Sequence, residues 1–138
     1  MKKLVVDAWA ILALLQKEEP AASRVKQLLE NAPRENIQIF MSIINLGEVY
    51  YRVGKVKGEA EAQKTLEQIN CLSLTILPAT DERVLAAARW KIHHAISYAD
   101  AFAAAAAAEL KATLVTGDPE LKSLNQEIQV EKISGLER

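Results

Sequence analysis

The sequence contains a single cysteine, Cys71, among 138 residues. An internal disulfide is therefore excluded, and so is any CxxC metal motif. A lone thiol at a helix end has an ordinary packing role and suits a reducing, cytoplasmic setting. Positive charge is not in surplus either: 17 Lys and Arg stand against 18 Asp and Glu, a formal net charge of −1. Without a whole-molecule basic field, a polyanionic partner has to be held by a local patch or through metal. Neither GxGxxG nor GxxxxGK(S/T) occurs, which leaves nucleotide-phosphate cradles unsupported. No apolar run reaches the ~20 residues that span a bilayer. The opening "MKKLVVDAWAILALL" resembles a signal peptide, but Asp7 interrupts it, and Gln16-Lys17-Glu18-Glu19 follow where a small-residue cleavage site belongs.

What is present is an ordinary globular composition, half hydrophobic and a quarter charged, of a length that fits one domain over 1–138. "KKLVV" (Lys2 to Val6) and "IQIFM" (Ile37 to Met41) predict buried strands. "LSLTILP", "ATLVT" and "IQVEKI" predict three more. Helices are expected in "AWAILALLQKE", from Pro20 to Pro33, in "SIINLGEVYYRVG" with Gly54 as its C-terminal cap, in "GEAEAQKTLEQINCL", in "TDERVLAAARWKIHHA" behind the N-cap Thr80, and in the alanine run after Ser97. Strands alternating with helices imply right-handed crossovers. The expected fold class is therefore α/β, a three-layer α/β/α sandwich with a small, mostly parallel sheet.

Four acids are placed by this plan. Asp7 follows the first strand and Asp118 the "ATLVT" strand, so both fall at the carboxyl edge, where open parallel sheets collect functional groups. Glu48 lies in the second turn of the helix after strand two, at the margin of its apolar half. Asp100 opens the alanine helix and joins them if that helix runs antiparallel to the strand it precedes. Each has an ordinary role as well: Asp7 as a helix cap, Glu48 as a partner of Arg52 one turn on, Asp100 in an S-x-x-D capping box with Ser97, and Asp118 in a turn before Pro119. Their joint placement is what points to chemistry. Two like charges 4 Å apart cost roughly 4 kcal/mol at an effective dielectric of 20. A divalent cation removes that cost, and an all-oxygen ligand set favours Mg²⁺ or Mn²⁺.

The pieces "LVVDAWAILALL", "MSIINLGEVYYRVG", "ISYADAFAAAAA" and "LVTGDPEL", in this order across almost the whole chain, resemble the PIN-domain family, and within it the VapC-type toxins of toxin–antitoxin pairs. The resemblance implies a metal-dependent endoribonuclease. It makes Asp7, Glu48, Asp100 and Asp118 the metal ligands, with Thr116 as a supporting hydroxyl and Asn45, in N-x-x-E, as a second supporting group. It also implies an RNA substrate, a small antitoxin laid across the site, a homodimer and a cytoplasmic location. Leu121 stands where many relatives have an aromatic residue, which reads as a packing change. Arg52 is the best candidate for an RNA phosphate contact, ahead of Lys55, Lys57, Arg89 and Lys91. His93 and His94 suit a helix C-terminus. Trp9, Trp90, Tyr50 and Tyr51 suit packing better than base stacking. A housekeeping RNA-processing nuclease without antitoxin and a catalytically inactive binding module of the same fold are the alternatives.

Overall fold

The computed structural model describes residues 2–134. The chain runs β1 (Lys2–Val6), α1 (Ala8–Gln16), α2 (Ala21–Asn31), β2 (Ile37–Ser42), α3 (Ile43–Lys57), α4 (Glu59–Asn70), β3 (Thr75–Leu77), α5 (Asp81–His93), α6 (Tyr98–Leu110), β4 (Thr113–Thr116), α7 (Pro119–Lys122) and β5 (Val130–Lys132). The five strands form one sheet in the order β3-β2-β1-β4-β5, and every pairing is parallel. Among the described residues the sheet is thus small and parallel, as expected.

Side chains alternate across each strand, and that alternation builds two cores. Leu4, Val6, Ile39, Met41 and Val115 enter one, with α1, α2 and part of α3 and α4. Val5, Leu77 and Leu114 enter the other, with α5, α6 and α7. Helices on both faces complete the three layers. Leu121 is fully buried in the second core, which accounts for its aliphatic character.

The order of strands sets the position of the site. From β1 the chain winds outward through β2 to β3, then returns to the other side of β1 as β4. The direction reverses between β1 and β4, and a crevice opens beyond their carboxyl ends. Helix α6 lies against β1, β2 and β4. Its residues Asp100 to Ala107 are all buried, and the methyl side chains let it sit close to the sheet. It runs back toward the start of β4, so its N-terminus faces the crevice.

One helix boundary differs from expectation. Helix α3 does not stop at Gly54 but continues to Lys57 and ends at Gly58, whose φ of +93° suits only glycine. Lys55 to Lys57 continue the helix readily, and the Gly58 N–H donates to the Gly54 carbonyl at 2.9 Å. Gly54 serves packing instead: a Cβ built there would lie 3.6 Å from that of Ala62 on α4.

Candidate metal centre

Asp7 caps α1, its Oδ1 accepting from the Ala10 N–H at 2.9 Å. Its Oδ2 accepts from the Thr116 hydroxyl. The sheet register makes this contact possible: Val6 pairs with Val115, so Asp7 and Thr116 are the next pair along. The same Thr116 oxygen accepts the Asp118 N–H at 3.0 Å. Asp118 in turn caps α7, accepting the Glu120 N–H at 2.9 Å. Asp100 sits in the first turn of α6, its N–H donated to the Ser97 hydroxyl at 3.1 Å. The capping roles read from sequence are real, and they hold the carboxylates in place.

Carboxylate oxygens of Asp100, Asp118 and Glu120 all lie within 4.8 Å of one another. Asp7 and Asp100 are buried, at 2% and 7% exposure. Burial pushes the Asp7 carboxyl up to about 7 against the lowering pull of Thr116 and Ala10, and the Asp118 charge adds to the rise. Asp100 is raised as well. Burial contributes most, followed by the adjacent Asp118 carboxylate through hydrogen bonding and charge, then by Asp7. These shifts follow from crowding acids together away from water.

Three of the four acids expected from the sequence are therefore brought together. Glu48 is not among the gathered oxygens: its Oε2 accepts from Arg52 Nε at 2.9 Å, in the i,i+4 pair that is its ordinary role. It nevertheless lies one turn beyond Asn45 on the same face of α3. Asn45, 1% exposed, donates from Nδ2 to the Ala99 carbonyl at 3.1 Å, next to Asp100. That bond ties α3 to the opening turn of α6. The Asn45 Oδ1 is buried without a partner. A flipped amide would set this oxygen against the Ala99 carbonyl, so the orientation is fixed by chemistry.

Glu120 is a member of the cluster that the sequence reading did not name. The signal was present as Asp118-Pro119-Glu120: a two-residue spacing at the start of a short helix puts both carboxylates at its N-terminal end. Of the two histidines, His93 is exposed in the last turn of α5 and His94 holds a structural position. His94 stacks on Trp90 with centroids 5.1 Å apart, and its Nε2 lies 3.1 Å from Glu127. Tyr51 is half-exposed beneath Lys55, whose Nζ lies 5.7 Å from the ring centroid.

A doubly wound parallel sheet with carboxylates gathered at its switch point defines the class, an α/β/α sandwich with an anionic crevice at the strand ends. The family follows from comparison with known proteins. The PIN domain model matches residues 4–127, and the chain belongs to that family. A search of curated proteins gave no significant match. Solved structures similar to this chain include VapBC2 from Rickettsia felis bound to a DNA fragment from their promoter, with TM-score 0.71 and 20% identity over 96% of this chain and 99% of that one. VapC20 of Mycobacterium tuberculosis, a sarcin–ricin loop cleaving toxin, gives 0.71 and 17% over 87% and 93%. DNA-bound VapBC from Salmonella typhimurium gives 0.71 and 17% over 96% and 98%. At these identities the likeness speaks for the fold. No helix among the described residues is long and apolar enough to cross a membrane.

Proposed function

We propose that this protein is a metal-dependent endoribonuclease that hydrolyses RNA phosphodiester bonds and acts as the toxin of a toxin–antitoxin pair. The observation that carries the reading is the convergence of Asp7, Asp100 and the Asp118–Glu120 pair from three distant elements on one sheet edge. Membership of the PIN family and the VapC and VapBC structures of the same fold support it.

The donor set fits a hard dication. It offers carboxylate oxygens only, two of them on buried groups that burial and mutual repulsion otherwise drive toward protonation. Asp100, Asp118 and Asp7 would hold Mg²⁺ or Mn²⁺, with Glu120 at the exposed side. Glu48, one turn beyond Asn45 on the same face of α3 and paired with Arg52, would join them by exchanging Arg52 for the cation. Such a cation supplies an activated water and charge neutralisation for in-line attack at phosphorus. The chain's own part is positional. Thr116 fixes the Asp7 carboxylate and the Asp118 backbone with one oxygen, and Asn45 fixes the α6 turn that carries Asp100. Arg52, released from Glu48, offers a guanidinium to an RNA phosphate.

A small antitoxin is the expected partner. A groove of about 140 Å³ between α1, α3 and α4 is lined by Leu12, Leu15, Val53 and Val56 and by Arg52, the ion-pair partner of Glu48. A homodimer and a cytoplasmic location belong to the same reading.

The test is RNA cleavage by purified protein with EDTA, Mg²⁺ or Mn²⁺, alongside Asp7→Asn and Asp100→Asn. Cleavage is expected only with metal and only with the native acids. Induced expression of the native chain, but not of either variant, is expected to arrest growth. Cleavage that survives chelation overturns the reading.

A further inference from the structure

Trp9 lies two residues past Asp7, in the first turn of α1, and packs partly buried against the core on that face. The distal edge of its indole rests on Gly117. A Cβ built on Gly117 would overlap Cη2, Cζ3 and Cζ2 of Trp9. These are atoms of a rigid ring, not the end of a flexible chain, so the indole occupies the space that any side chain at 117 would need. Only glycine permits the contact.

Gly117 joins Thr116 to Asp118. The β1–β4 ladder ends at Val6 with Val115, so the turn beyond it is not held to β1 by strand pairing. It is held there by two side-chain contacts instead. The Thr116 hydroxyl bonds to Asp7, and the Trp9 ring presses on Gly117. Both come from the three-residue stretch Asp7 to Trp9. We propose that Trp9 is a positioning residue for the acid site: its indole, seated where Gly117 has no side chain, sets the spacing between the turn carrying Asp118 and Glu120 and the helix start carrying Asp7. The inference rests on the reading that these carboxylates act together on a divalent cation. A ring that merely fills the core would support stability and leave cation affinity alone.

The discriminating measurement is Mn²⁺ affinity by calorimetry, with circular-dichroism melting of each protein as the folding control. The set is wild type, Trp9→Leu, Trp9→Phe, Gly117→Ala, the double variant Trp9→Leu/Gly117→Ala, and Trp90→Phe as a control on the other core. Trp9→Leu and Gly117→Ala are each expected to bind Mn²⁺ about 10–100-fold more weakly, as loss of a supporting contact does. Trp9→Phe should be intermediate. The double variant should bind no worse than Trp9→Leu, because removing the indole makes room for the new methyl. Wild-type affinity in a folded Trp9→Leu protein, or full additivity in the double variant, overturns the inference. Should Trp9→Leu not fold, unchanged affinity in both Trp9→Phe and Gly117→Ala does so. If wild type and Trp90→Phe alike bind no Mn²⁺, the metal reading itself fails and takes this inference with it.

Discussion

The hydroxyl of Thr116 donates its proton to Asp7 and accepts the backbone N–H of Asp118. One oxygen thus couples the ends of two neighbouring strands, and both groups are lost together if it is removed. Thr116→Val keeps the shape and deletes the bonds. Each buried group left unpaired costs about 1–3 kcal/mol, so urea unfolding should show a loss of about 2–4 kcal/mol, with cleavage strongly reduced. Thr116→Ser keeps the hydroxyl and should stay within about 1 kcal/mol of wild type. A loss in Thr116→Ser with none in Thr116→Val would show that the methyl, not the hydroxyl, matters.

The metal-free protein should lose stability as pH rises. The folded Asp7 carboxyl titrates near 7 and the reference value is 3.8; Asp100 is raised in the same sense. Between those values the folded state keeps protons that the unfolded state has released, so raising the pH favours unfolding. Groups lowered on folding, such as Glu131 beside Arg24, give stability that is fully present above their unfolded value of 4.5 and do not offset the fall. In EDTA, the melting temperature is expected to decline from pH 5.5 to 7.5 and to decline less in Asp7→Asn. Mg²⁺ should raise it more at pH 8 than at pH 5. A flat or rising profile in EDTA would contradict the shifts.

Glu48 and Arg52 separate a surface ion pair from a site acid. Arg52 is well exposed, and an exposed i,i+4 pair is worth about 0.3–0.5 kcal/mol. Arg52→Ala should therefore change stability by less than about 0.5 kcal/mol while weakening RNA binding. Glu48→Gln should be equally mild for stability and should abolish cleavage. Cleavage at wild-type rates in Glu48→Gln would leave Glu48 as Arg52's partner and nothing more.

Asn45 anchors the start of α6 through the Ala99 carbonyl. Asn45→Ala removes the donor and leaves that carbonyl without it, at about 1–3 kcal/mol. Amide exchange in the first turn of α6 should quicken more than exchange in β1, which the substitution does not touch. Uniform acceleration across the fold would mean that Asn45 supports global stability alone.

Much of this architecture was legible because it is written locally. The β-branched run at Lys2–Val6, the Ser97 cap and the alanine run each specify their own element. Asp7 and Asp118 could be placed because a strand carries its following residue to a known edge. Asp100 was conditional, since its side of the sheet depends on how α6 packs. Glu48 was expected among the acids but pairs with Arg52, the other role its i,i+4 spacing allowed, and pattern alone does not choose between the two. The α3 terminus was misplaced because glycines four residues apart, Gly54 and Gly58, both suit a cap. The Trp9–Gly117 contact joins residues 108 positions apart, and no local signal announces it.

The buried alanines of α6, Ala101 and Ala103 to Ala107, carry a consequence for variation in this protein. These side chains act as a shim of minimum thickness between helix and sheet. A leucine at Ala103 or Ala104 would do more than strain the interior. It would lever α6 outward and swing Asp100 away from Asp118, so a change three or four residues along the helix would reach the chemistry as a change in gap width.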